Sequence, residues 1–114
     1  MAIRLTCVDV VPSSADAHLN QLPATIGRGD EADVCIRDTW ASRVHCRLSE
    51  RDGQLWLEDL KSSNGTLLNG EQVQAAPVQS GEQVTVGITT FRVTYSRLPE
   101  SRTTNQADAV FAES

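Results

Sequence analysis

The 114-residue chain is expected to fold as an all-β sandwich of short, mostly antiparallel strands around a single core. Segments rich in Val, Ile, Thr and Leu recur at roughly the 8–12-residue spacing of sandwich strands. Asp52-Gly53 and Asn69-Gly70 are dipeptides suited to tight hairpin turns. No stretch before Arg97 shows a convincing apolar period of 3.6 residues.

Ile3 to Val11 alternates β-branched residues and is broken by Pro12-Ser13-Ser14. His18 to Leu22 and Ala24 to Ile26 read as short strands on either side of Pro23, and Asp33 to Ile36 as another. Val44 to Glu50 and Gln54 to Leu60 flank Arg51-Asp52-Gly53 as a hairpin. The imperfect alternation of the second arm suits a strand buried on more than one side. Thr66 to Leu68 runs into Asn69-Gly70, and Val73 to Val78 reads as one strand. Gln83 to Val86 and Thr89 to Tyr95 close the pattern, with Gly81 and Gly87 marking turns. The domain is expected over residues 1–96, followed by a polar, flexible tail over 97–114. Within that tail, Asp108 to Glu113 could form one helical turn.

Composition narrows the function. With 39 % hydrophobic and 22 % charged residues the chain is a globular protein rather than a disordered one. No apolar run reaches the roughly 20 residues of a membrane span, and the start lacks the apolar stretch of a secretory signal. A cytoplasmic address and no membrane partner are therefore expected. Cys7, Cys35 and Cys46 are odd in number and lack C-x-x-C spacing, which predicts reduced, buried thiols rather than disulfides. With His18 and His45 they complete no zinc pattern, so neither metal nor cofactor is expected. A net charge of −5 argues against nucleic acid as a partner. From Gly27 to Arg47, however, four arginines balance four carboxylates, so an arginine-bearing region sits on an otherwise acidic body. At short range such a region still attracts a phosphate, because screening cuts off charges beyond about 8–10 Å.

Four turn motifs carry the chemistry: Gly27-Arg28, Ser42-Arg43-Val44-His45, Ser62-Ser63-Asn64-Gly65-Thr66 and Asn69-Gly70. Together they offer a guanidinium, hydroxyls and a carboxamide, a donor set that holds a phosphate without breaking it. Taken singly, each is more often a solvated arginine or an ordinary turn. Arg28 on a glycine-flanked tip matches phosphate oxygens with its fork. Ser42 can donate its hydroxyl, Arg43 adds charge, and His45 can anchor the loop by bonding backbone. An enzyme would instead use Ser42 as nucleophile, His45 as base and Asp59 as orienter. The absence of a G-x-S-x-G elbow speaks against that reading. Asn64 has both a donor and an acceptor for an extended peptide backbone. Arg28-Gly29-Asp30 and Asp30-Glu31-Ala32-Asp33 spell an adhesion tripeptide and a helicase box. Neither fits a short chain that shows no secretion signal and no phosphate loop.

In order and register these motifs resemble the forkhead-associated (FHA) domain. Gly27-Arg28 is followed by Ser42-Arg43-Val44-His45, then Asp59-Leu60-Lys61-Ser62-Ser63-Asn64-Gly65-Thr66, then Asn69-Gly70. Gly81-Glu82-Gln83-Val84 and Phe91-Arg92-Val93 resemble the family's closing strands, so the likeness covers about Ile3 to Tyr95. The resemblance implies a sandwich of about eleven strands whose loops at one end bind phosphothreonine peptides. By position, Arg28 and Ser42 would contact the phosphate, with Ser63 (threonine in many relatives) adding a hydroxyl. Arg43 would help with the phosphate or a flanking side chain. Asn64 would hold the peptide backbone, while Gly27, His45 and Gly65 would be architectural. The implied partner is a phosphothreonine protein such as a Ser/Thr kinase or its substrate. Thr103 or Thr104 in the tail, once phosphorylated, offers a ligand from the chain itself. The rival reading is a scaffold that binds a folded partner regardless of phosphorylation.

Overall fold

The computed structural model of the protein describes residues 3–8 and 16–96. The breaker at Pro12, Thr103, Thr104 and the helical turn expected over Asp108 to Glu113 lie outside those residues.

Among the described residues eleven strands form two sheets: β1 (Ile3–Cys7), β2 (Ala17–Leu19), β3 (Ala24–Gly27), β4 (Val34–Cys35), β5 (Cys46–Arg51), β6 (Gln54–Asp59), β7 (Thr66–Leu68), β8 (Glu71–Val73), β9 (Ala75–Val78), β10 (Gln83–Val86) and β11 (Thr89–Thr94). One sheet runs β2-β1-β11-β10-β7-β8 and the other β4-β3-β5-β6-β9. Among the described strands only β3 and β4 pair in parallel. The all-β, mostly antiparallel sandwich expected from the sequence is the fold observed.

Alternation along each strand decides what lies between the sheets. Ile3, Leu5, Val84, Val86, Phe91 and Val93 point inward from one sheet, and Ala24, Ile26, Cys46, Leu48, Leu55, Leu57 and Val78 from the other. The hairpin dipeptides behave as their composition demands. Asp52 and Gly53 both have positive φ, as do Asn69 and Gly70, the geometry of turns that match strand twist.

Several boundaries differ from the expectation. The strand expected from His18 is β2, which ends at Leu19. β5 begins at Cys46 rather than Val44, because the His45 amide bonds back to the Ile26 carbonyl and belongs to the loop. The single strand expected over Val73 to Val78 is two. Glu71–Val73 pairs with β7 while Ala75–Val78 pairs with β6, so the chain changes sheets at Gln74. The cysteines also differ: Cys46 is buried, Cys7 half-buried and Cys35 exposed. Burial pushes the Cys46 thiol up to about 12, which makes it inert.

The strand directions put the four loops of interest at one end. β3 leads up into residues 28–33, β4 into 36–45, β6 into 60–65, and β10 turns into β11 at Gly87 and Ile88. β11 then runs away from this rim, so the chain leaves the described fold at the opposite end.

Candidate functional site

Gly27 closes β3 against the loop that follows β4. A methyl group there would sit 2.1 Å from the Arg43 carbonyl oxygen, so only glycine permits the approach. That closeness lets two loops zip together. The Arg28 amide donates to the Ser42 carbonyl at 2.9 Å and the Gly29 amide to the Arg43 carbonyl at 2.9 Å. Arg28 Nε adds a bond to the Ala41 carbonyl at 3.0 Å. The side chain is thereby held beside Ser42, while Nη1 and Nη2 have no partner among the described residues.

His45 joins this pair of loops to the third. It is fully buried. Nδ1 accepts from the Ser42 amide at 2.9 Å, so Nε2 carries the proton and donates to the Gly65 carbonyl at 2.8 Å. The ring is thus a neutral anchor with both nitrogens occupied, and neither is left to serve Ser42 as a base. Ser42 Oγ instead accepts from the Ser63 amide at 2.9 Å, which leaves its own hydrogen to donate. Asn64 Nδ2 donates to the Trp40 carbonyl at 2.7 Å, keeping Oδ1 and a second N–H for another partner.

The Ser62–Gly65 turn is shaped from below by Asp59. Its carboxylate accepts from the Ser62 hydroxyl and amide and from the Thr66 hydroxyl, while Ser62 Oγ accepts from the Gly65 amide at 2.9 Å. Burial pushes the Asp59 carboxyl up, but the Ser62 and Thr66 donors outweigh it and hold the group below its ordinary value. Gly65, at φ 84°, takes the left-handed conformation that this turn requires.

The structure brings Arg28, Ser42, Ser63 and Asn64 to one rim, with Gly27, His45 and Gly65 beneath them. Arg43 is on the same rim, but its fork is engaged. Nε and Nη2 donate to Glu31 at 3.1 and 2.9 Å, and this pairing holds the Glu31 carboxyl below its usual range. Asn69-Gly70 is apart from this group, at the β7–β8 hairpin.

Two features were not found from the sequence. Asp38 is only 5 % exposed and ties two loops together. Oδ1 accepts from the Trp40 amide at 2.9 Å, and Oδ2 from the Ile88 amide at 2.8 Å and the Thr89 hydroxyl at 2.7 Å. Burial pushes this carboxyl up, yet the donors from Thr89, Ile88 and Trp40 prevail and leave it lowered. Gly87 makes the contact possible, since a methyl group there would fall 2.6 Å from Asp38 Oδ2. The second feature is that Trp40 and Ile88 themselves are exposed. Only the contrast between a bulky apolar residue and its polar turn context could have signalled either.

A cavity of about 310 Å³ lies elsewhere, where the edge strands β2 and β4 face each other. Its lining includes none of the motif residues named above, so it is not the site they form.

A family model for the FHA domain matches residues 24–87. The FHA domain-containing protein FhaB of Mycobacterium tuberculosis is 38 % identical over 82 residues, 71 % of this chain and 53 % of FhaB. The glycogen accumulation regulator GarA of Mycolicibacterium smegmatis is 31 % identical over 91 residues, 79 % of this chain and 56 % of GarA. The chain thus spans about half the length of these relatives. Among solved structures, the FhaA FHA domain in complex with the intracellular domain of Rv3910 superposes with a TM-score of 0.71 at 30 % identity. That match covers 80 % of this chain and 98 % of FhaA's. An FHA domain studied for its phosphothreonine-dependent interactions gives 0.74 at 27 % identity, covering 83 % and 97 %.

Proposed function

The chain belongs to the forkhead-associated domain family, whose members bind phosphothreonine peptides, and we propose that its own ligand docks on the rim described above. The observation that carries this reading is the hydrogen-bonded union of three motif loops far apart in sequence. Arg28, Ser42 and Ser63 meet there with donors to spare. A threonine phosphate carries about −1.5 to −2 charge at pH 7 and three acceptor oxygens. Arg28 meets it through Nη1 and Nη2, and Ser42 and Ser63 through their hydroxyls. Asn64 grips the peptide main chain beside the phosphothreonine with its free Oδ1 and N–H. Arg43 joins when the phosphate draws it from Glu31. Unphosphorylated threonine leaves these donors unpaired, which is why it binds poorly.

The reading is one of binding rather than cleavage, since His45 spends both nitrogens on backbone groups and activates nothing. The partner is a phosphothreonine protein, either a Ser/Thr kinase or a kinase substrate, met in the cytoplasm. Unpaired cysteines at the surface are consistent with that compartment. Phosphorylated Thr103 or Thr104 would be a ligand for the same rim, within one chain or between two copies.

The test is a titration of matched threonine and phosphothreonine peptides against the chain and against Arg28→Ala. The phosphopeptide alone should bind, at about micromolar affinity, and the variant should lose about 30- to 150-fold. Equal binding of both peptides would favour a phosphorylation-independent scaffold.

A further inference from the structure

The outer faces of the two sheets treat their cations differently. On the five-stranded sheet both arginines of β5 are satisfied. Arg47 pairs with Glu58 at 2.6 Å, and the Arg51 guanidinium is 4.3 Å from the centre of the Trp56 ring. On the six-stranded sheet, alternation turns Ile3, Leu5, Phe91 and Val93 inward, so Arg4, His18 and Arg92 face solvent. The remaining outward positions of its strands are threonine, glutamine or leucine, and none is Asp or Glu. In a chain with 15 carboxylates against 10 Lys and Arg, a sheet face without an acid stands apart from the rest of the body.

The register packs these cations together. His18 on β2 is directly opposite Arg4, and Arg92 on β11 is diagonal to Arg4, since Arg4 pairs with Thr94 and Thr6 with Arg92. Two guanidinium groups at that spacing repel each other. Nothing nearby relieves them. Among the described residues Arg4 and His18 make no side-chain hydrogen bond or ion pair. Arg92 donates through Nη1 to the Gly81 carbonyl at 3.0 Å, which holds its fork in place and leaves Nε and Nη2 to spare. The carboxylates at the margins are engaged elsewhere. Glu82 accepts from the Gln79 amide with one oxygen and from Asn69 with the other, and Asp16 accepts from the Cys7 amide.

An uncompensated cationic cluster costs the fold stability that an opposite charge would return. We infer that this sheet face is a docking surface for an acidic segment of a partner protein, a run of Asp and Glu without phosphate. Arg4 and Arg92 would pair with its carboxylates, and the surrounding threonine hydroxyls would donate to them. Two arginines are too few to hold a nucleic-acid backbone against a net charge of −5, so protein carboxylates are the ligand that the chemistry favours. The face is on the strands and the phosphate rim is on loops at their end. The two are therefore separate, and a partner carrying both features engages both at once.

The probe is an unphosphorylated peptide of about ten alternating Asp and Glu residues, titrated into the chain at about 20 mM salt and followed by amide chemical shifts. A short DNA duplex serves as the comparison. Shifts should centre on Arg4 to Thr6 and Thr90 to Thr94. The dissociation constant should be about 0.1–1 mM and weaken about fivefold as salt rises to about 150 mM. Arg4→Glu combined with Arg92→Glu should abolish binding. Both side chains are exposed, so this variant should fold, and Arg4→Gln, which leaves the Arg92 bond intact, should weaken binding about threefold. Phosphothreonine peptide affinity at about 150 mM salt should stay within about twofold in both variants. A larger loss would overturn the separation of face and rim. No shifts on this sheet, shifts centred on Arg28 and Arg43, binding that the double variant retains, or a duplex bound here as tightly as the acidic peptide would each overturn the inference and leave the reading of the rim standing.

Discussion

Replacing Asp38 with alanine tests whether a buried carboxylate builds the rim. The wild-type group accepts three hydrogen bonds, from two backbone amides and a hydroxyl. Bonds to a charged acceptor are worth about 1.5–3 kcal/mol each, but the losses are not additive. Trp40 and Ile88 lie at exposed tips, so water can rescue their amides once the carboxylate is gone. Thr89 is buried and has less access to water. The net cost is therefore about 2–4 kcal/mol at pH 7, read from denaturant unfolding. The pH dependence carries the sharper signal. The folded Asp38 carboxyl is lowered, so its contribution is fully present above the unfolded value of about 3.9. It is lost as pH falls through the folded value. The gap between wild type and Asp38→Ala should be constant from pH 7 to about pH 5 and shrink below about pH 4. A loss under about 0.5 kcal/mol, or a gap that stays the same down to pH 2.5, would refute the clamp.

Gly27→Ala forces a methyl group against the Arg43 carbonyl, so it should cost about 2–4 kcal/mol of stability and weaken phosphopeptide binding even where the fold survives. Unchanged thermal unfolding would show that the two loops are not locked. Glu31→Gln breaks the fork that engages Arg43. If Arg43 serves the phosphate, affinity measured by calorimetry should rise two- to fivefold at low salt, with the gain shrinking as salt is added; a fall would mean that the Glu31 pair organises the loop instead. His45→Ala removes a fully buried ring bonded at both nitrogens and should lower stability by about 3–5 kcal/mol. Replacement by glutamine should restore part of this, which unfolding curves would read directly.

The hairpin at Asp52-Gly53 and the inward alternation of Ile3, Leu5, Leu55, Leu57, Phe91 and Val93 were legible because turn chemistry and a period of two are local signals. The crossing at Gln74 was not. No glycine or proline marks it, and whether Val73 or Ala75 pairs with β7 or β6 depends on strands distant in sequence. The start of β5 was hidden for a similar reason, since Val44 and His45 have strand-like neighbours but are held by the rim. Cys35 looked like a core residue, yet β4 is a two-residue edge strand that turns it outward.

Within the candidate site, motif order pointed to Arg28, Ser42, Ser63 and Asn64. Asp38 was hidden because a carboxylate among seven other charges between Gly27 and Arg47 has no distinguishing local pattern. Its partners Ile88 and Thr89 are about 50 residues away, so only the folded register reveals it. The engagement of Arg43 by Glu31 across 12 residues was invisible for the same reason.

The central claim is that one end of the sandwich receives the phosphorylated threonine. Amide chemical shifts followed by NMR during titration with a phosphothreonine peptide test it most directly. The largest changes should fall on Gly27 to Gly29, Trp40 to Arg43 and Ser62 to Gly65, and should vanish for the unphosphorylated peptide. Changes centred on the β7–β8 hairpin, on the cavity between β2 and β4, or on the outer face of either sheet would contradict the account.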